Sequence, residues 1–149
     1  METINAGRSR NVGFDLYGRE TVGEASPWFS YSYVDFEQTV DGTTTGLPGI
    51  SRHNGRLGVT WAVTPKLFIT PSLVIRSTPE NIRNAGVLGH QLDTPYQFNL
   101  AAQYNITPQV RAFAEIENVT NHKYALGDIS GSAYPQETIH GVVGLQIDF

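Results

Sequence analysis

Alternation constrains this chain more than any single motif in it. Apolar and polar residues change places with a period of two along seven stretches, roughly 10–20, 26–37, 53–64, 67–78, 95–106, 109–120 and 137–149. None of them repeats apolar residues at helical spacing, so the expected fold is all-β. The stretches run about eleven to thirteen residues. Strands of globular sheets usually have about five or six, whereas a tilted strand crossing a bilayer uses roughly 9–11.

The connections alternate in length. TVGEAS, TPK and TPQ are short; EQTVDGTTTGLPGIS, TPENIRNAGVLGHQLD and NHKYALGDISGSAYPQ are long and rich in turn formers. Short and long loops in alternation are the wiring of an antiparallel up-and-down transmembrane barrel, with tight periplasmic turns and longer extracellular loops. WAVTPKLFI and YNITPQVRA repeat one hairpin plan, with Thr-Pro at the tip, where proline's fixed φ suits the turn.

The two faces differ in kind. Leu57, Val59, Trp61 and Val63 stand opposite Arg56, Gly58, Thr60 and Ala62. Leu67, Ile69, Leu73 and Ile75 oppose Thr70, Ser72 and Arg76, and Tyr96, Phe98, Leu100, Ala102, Tyr104 and Ile106 oppose Gln97, Asn99, Gln103 and Asn105. Val110, Ala112, Ala114 and Ile116 oppose Arg111, Glu115 and Glu117; Val12, Phe14 and Leu16 oppose Asp15 and Arg19. The stretch at 26–37 is less clean, because Asp35 shares the parity of Phe29, Tyr31 and Tyr33. No charge interrupts the apolar faces at mid-strand, where Lys or Arg facing lipid would cost ~2–4 kcal/mol. Phe29, Trp61, Tyr104 and Phe149 fall towards the short-turn side of that face, Tyr33 and Tyr96 towards the other. Two aromatic belts are what membrane interfaces select. The opposite faces, with Arg, Glu, Gln and Asn at mid-strand, suit a wide wet lumen better than the packed interior of a small soluble barrel.

Composition narrows the function. Charged residues make up 16% and the net charge is −4, which leaves no basic footprint for nucleic acid. The absence of cysteine excludes disulfides and thiolate metal sites. His53, His90, His122 and His140 lie in or beside the long loops but lack metal spacing. The neighbouring carboxylates Asp15 and Glu20, or Glu115 and Glu117, have no convergent partner, and no serine sits in a nucleophile elbow. Neither an enzyme nor a cofactor is expected. The residues placed to meet a ligand, from the lumen or the long loops, are Arg56, Arg76, Arg83, His90, Arg111 and Tyr124, with Tyr134 also in a loop. Cross-strand pairing within the wall is the competing role for the charged ones.

Four segments, in order, resemble the TonB-dependent outer-membrane receptors. RNVGFDLYG is similar to the family's strand of glycine followed by alternating apolar and acidic residues. GLPGISRHNGRLGVTW resembles its Leu-Pro-x-x-x-Arg-His stretch. VRAFAEIENVTNHKYALGD resembles its Asn-Leu-Phe-Asp-x-x-Tyr segment, with Val119, Thr120 and Asn121 departing from the usual trio. AYPQETIHGVVGLQIDF resembles the closing strand with terminal phenylalanine, with Gln136 at a position that is often Gly or Arg.

The resemblance implies part of a 22-stranded barrel in the outer membrane of a Gram-negative bacterium. Such barrels take up scarce ligands, chiefly ferric siderophores, with energy delivered by the TonB complex. It further implies that residues 1–149 are the C-terminal portion of the barrel, about a third of it, without the plug domain or the TonB-contacting segment. Residues 1–9 are then expected as loop, and an odd number of strands leaves an edge that lipid cannot satisfy. The fragment is therefore not expected to transport alone. Its expected partners are outer-membrane lipid, the missing N-terminal strands and plug, and TonB only through the absent part. Val143, Leu145, Ile147 and Phe149 resemble the signal by which the barrel assembly machinery recognises outer-membrane proteins. The alternatives are a small structural or porin-like barrel, which needs an eighth strand before residue 10, and a soluble β-barrel binding protein.

Overall fold

A computed structural model describes residues 7–40, 43–46, 50–78, 95–129, 132–135 and 138–148. Ten strands follow in order: β1 (Gly7–Arg19), β2 (Ala25–Val40), β3 (Thr43–Gly46), β4 (His53–Ala62), β5 (Leu67–Arg76), β6 (Tyr96–Asn105), β7 (Val110–Glu117), β8 (Ala125–Ile129), β9 (Ser132–Pro135) and β10 (His140–Ile147). Seven of them form an antiparallel meander in the order β1-β2-β4-β5-β6-β7-β10; β3 adds to β2, and β8 and β9 make a separate hairpin. Among the described residues β1 pairs only with β2 and β10 only with β7, so the sheet is open at both sides.

The seven long strands coincide with the seven alternating stretches. The differences fall where loops were expected. Strand β1 already runs at Gly7, and the long connections carry β3 and the β8–β9 hairpin. Strand β2 continues past its last partner in β4, Tyr33 opposite His53, and pairs there with β1 and β3. The meander therefore extends on the long-loop side as a narrow ribbon.

The short turns have a shared chemistry. Thr64 and Leu67 exchange backbone hydrogen bonds, and Thr64 Oγ1 accepts from the N–H of Leu67 at 3.0 Å. Thr107 and Val110 repeat the arrangement, again at 3.0 Å. The threonine side chain closes the turn over the proline, which has no N–H to satisfy.

Register keeps the faces coherent across the sheet. The row Phe29, Leu57, Leu73, Phe98 runs through four neighbouring strands, as does Pro71, Leu100, Ile116, Gly141 through the next set. Because pairing residues share a face, every apolar stripe lands on the same side. That side is open: Leu16 is 54% exposed, Leu145 66% and Val143 81%. Among the described residues the buried apolar side chains are Val74, Pro95 and Tyr124. Among the described residues the apolar face is uncovered and few side chains are buried, the arrangement of a wall whose burial lipid supplies. Asp35 and Glu37, the acidic residues of β2, both lie beyond Tyr33 on the long-loop side of the band, and Asp35 pairs with Arg52 at 3.3 Å.

Candidate functional site

The polar face carries the groups that can meet a solute, and its long-loop end is the best organised. Asn118 follows β7 with φ of 51° and is 1% exposed. Its side chain folds residues 118–122 into a tight bend: Oδ1 accepts from the N–H of His122 at 2.9 Å, and Nδ2 donates to the His122 carbonyl at 3.0 Å. Asn99 Oδ1 accepts the Asn118 N–H at 3.0 Å, and the Phe98 carbonyl accepts that of Val119 at 2.8 Å. Asparagine tolerates the left-handed region better than other side chains because its short amide bonds locally. Asn121, with φ of 49°, uses the same tolerance.

This bend straddles the rim of β6. Tyr96 and Gln97 are successive residues and point to opposite faces. His122 stacks on Tyr96 on the apolar side, with ring centroids 3.8 Å apart and planes at 16°. Tyr124, 4% exposed, turns to the polar side, where its hydroxyl lies 3.5 Å from Gln97 Oε1 and accepts from Arg76 Nη1 at 3.4 Å. Gln97 Nε2 in turn donates to Glu117 Oε2 at 3.4 Å. Arg76, Tyr124, Gln97 and Glu117 therefore form one chain of polar contacts across β5, β6 and β7.

The other expected ligand residues distribute unevenly. Arg56 on β4 is exposed on the polar face and has no hydrogen bond or ion pair among the described residues. Register pairs Arg56 with Val74 and Asn54 with Arg76, so the two arginines are diagonal neighbours. Arg111 stands at the far, short-turn end and donates to Asp148 Oδ2 at 3.1 Å, tying β7 to the end of β10. Arg83, His90 and Phe149 lie outside the described residues, as does the side chain of Tyr134. Val143, Leu145 and Ile147 make the outward stripe of β10, opposite Ala114, Ala112 and Val110.

His53 is tied into the wall. His53 Nδ1 is 2.7 Å from the Tyr31 hydroxyl, and its ring sits 5.1 Å from that of Tyr33. These groups, with Phe14 beside both tyrosines, form an aromatic cluster at the long-loop edge of the apolar face. Among the described residues no group of His, Asp and Glu gathers as a metal site.

Sequence reasoning overlooked the aromatic residues of the polar face. Trp28 and Phe113 both lie against glycines of the neighbouring strand. A Cβ at Gly58 would fall 2.6 Å from Trp28 Cζ2, and one at Gly144 2.7 Å from Phe113 Cε1. The glycines exist so that the rings can lie down on the sheet. The signal was a glycine in an alternating stretch, readable only once its partner across the ladder is known.

The sequence model of TonB dependent receptor-like, beta-barrel proteins matches residues 1–119. The chain belongs to the TonB-dependent receptor family. As a TonB-dependent receptor segment it is outer-membrane β-barrel wall, and the family consists of transporters rather than enzymes. No curated protein sequence matches the chain. In structure it is similar to the siderophore receptor PiuA from Acinetobacter baumannii, with a TM-score of 0.66 and 19% identity over 96% of this chain and 22% of that one. It is also similar to the ferric-catecholate import receptor Fiu from K12 E. coli, with a TM-score of 0.64 and 13% identity over 96% of this chain and 21% of that one. At these identities the likeness is one of fold. The TonB-dependent receptor segment spans about a fifth of each solved chain.

Proposed function

We propose that the chain is the C-terminal portion of the barrel of a receptor that takes up an anionic ferric siderophore by TonB-dependent transport. Residues 56 and 76 contribute ligand contacts within that wall. The observation that carries the reading is the arginine pair. Arg56 is exposed towards the polar face with no partner among the described residues, and its diagonal neighbour Arg76 is held by a neutral hydroxyl instead of a carboxylate. Two adjacent guanidinium groups without an acid between them repel each other until an anion arrives, and oxygen-rich anions suit their planar forks. Arg83, His90 and Tyr134 extend the candidate contacts into the long loops. Arg111, already paired with Asp148, contributes to the wall more than to the ligand.

A plug and further strands complete the barrel, TonB acts through them, and the outward stripe of β10 with Phe149 is presented to the barrel assembly machinery.

The experiment compares two ferric complexes. The chain refolded in detergent is titrated with a trianionic ferric tris-catecholate and with a neutral ferric tris-hydroxamate, following tryptophan quenching. Arg56→Gln with Arg76→Gln weakens the catecholate about tenfold or more, the cost of losing charge-assisted contacts, and leaves the hydroxamate unchanged. Equal loss for both, or no preference for the anion in the unmodified chain, refutes the reading.

A further inference from the structure

The bend at residues 118–124 grips both faces of the wall at once. His122 lies against Tyr96 on the membrane-facing side, with ring centroids 3.8 Å apart, and Tyr124 reaches Arg76 and Gln97 on the polar side. The two grips belong to one unit. The rings of His122 and Tyr124 are 5.8 Å apart, and the Asn118 side chain fixes both the N–H and the carbonyl of His122. Any shift of Tyr124 is therefore felt at the rim of the apolar face.

The polar-side grip is the weaker one. The Tyr124 hydroxyl accepts from Arg76 at 3.4 Å and donates to Gln97 at 3.5 Å, both at the outer limit of hydrogen bonding. A bidentate bond from a guanidinium to an oxyanion, about 2.7–2.9 Å long, is stronger than a single long bond to a neutral hydroxyl. An anion at the arginine pair takes Arg76 from Tyr124 and leaves this buried hydroxyl with Gln97 alone. The membrane-side grip already carries a cost. His122 Nε2 is buried without a hydrogen-bond partner among the described residues. A buried ring nitrogen left unpaired favours a shift that lets it reach water.

We propose that residues 118–124 form an anion-released clasp that carries occupancy of the arginine pair to the membrane-facing rim, an inference that rests on Arg56 and Arg76 being anion contacts. When an anion engages Arg76, Tyr124 leaves its seat and His122 comes off Tyr96. Such coupling is reciprocal, so loosening His122 on the membrane side strengthens anion binding on the polar side. Tyr96 stands on the face opposite the arginines and does not itself meet the anion.

The test uses the whole chain refolded in detergent, with pyrophosphate and a trianionic ferric tris-catecholate as separate probes. Carbethoxylation by diethyl pyrocarbonate is followed by peptide mass spectrometry, with exposed His140 as the internal reference. His122 reacts slowly in the empty chain and about fivefold faster when either anion is saturating, while His140 is unchanged. Tyr96→Ala removes the stack, weakens the hold on Tyr124 and tightens pyrophosphate about fivefold; circular dichroism confirms that the variant folds. Pyrophosphate that does not bind, or binds with His122 as slow as in the empty chain, overturns the clasp, as does an unchanged pyrophosphate affinity in Tyr96→Ala. The siderophore reading fails separately: a catecholate that does not bind, beside pyrophosphate that opens the bend, refutes that reading and supports the clasp.

Discussion

Leu100 stands at the centre of the membrane-facing band, and an arginine there is the sharpest test of which face meets lipid. Tyr96 and Tyr104 flank it on the same face of β6, and its ladder partners are Pro71 and Ile116. Four residues of strand at ~3.4 Å each separate it from either tyrosine, or roughly 14 Å along the strand. With the roughly 35–45° tilt of barrel strands, that is about 10 Å in depth. Leu100 therefore lies near the midplane if the tyrosines mark the interfaces. Leu100→Arg is expected to destabilise the lipid-embedded chain by ~2–4 kcal/mol, a shift of about 30- to 1,000-fold in the folding equilibrium. Ala101→Arg is the control. It occupies the same height on the other face, opposite Glu115, and is expected to cost less than ~1 kcal/mol. The assay is denaturant unfolding in lipid vesicles followed by tryptophan fluorescence. Equal costs for the two arginines, or a larger cost at position 101, would refute the division of faces.

Further outcomes follow from the rim and the strand contacts. Tyr124→Phe removes the hydroxyl that joins Arg76 to buried Gln97 and is expected to cost ~1–2 kcal/mol by the same unfolding assay. Asn118→Ala loses both side-chain bonds to His122 and keeps a left-handed backbone; the expected cost is ~2–4 kcal/mol, and Asn118→Gly recovers part of it. Gly144→Ala forces Phe113 from its seat at ~1–3 kcal/mol, and the double variant with Phe113→Leu is expected to cost less than the sum of the two single changes. Asp148→Asn breaks a partly exposed ion pair with Arg111 and is expected to cost at most ~1 kcal/mol, an effect that shrinks further in high salt.

Most of the architecture was legible because a membrane wall obeys a simple local rule. With one face in lipid and the other in water, residues such as Leu57, Leu73 and Phe98 reveal their side by parity alone. The Thr-Pro turns were legible for a similar reason, since the side chain and the ring act on their own neighbours. What could not be read depends on pairing. Trp28 and Phe113 went unremarked in the sequence, because their place on the polar face makes sense only once the register sets them against Gly58 and Gly144. Tyr124 stood as a loop residue open to ligand; its burial depends on a bend built by Asn118, on β6 for a rim and on Arg76 from β5. The arginines split in the same way. Nothing in the sequence distinguishes Arg111, committed to Asp148, from Arg56, which has no partner among the described residues. Strands β3, β8 and β9 are short and lie in turn-rich connections, where alternation has too few residues to register.

The two tryptophans provide the most direct test of the account. Trp61 is on the apolar face and 50% exposed; Trp28 is on the polar face against Gly58. In vesicles containing brominated lipid, the Trp28→Phe variant reports Trp61 alone, and the Trp61→Phe variant reports Trp28. The account predicts strong quenching of Trp61 by the lipid and little of Trp28, with the opposite order for a water-soluble quencher. Lipid quenching of Trp28 equal to or greater than that of Trp61 would contradict it.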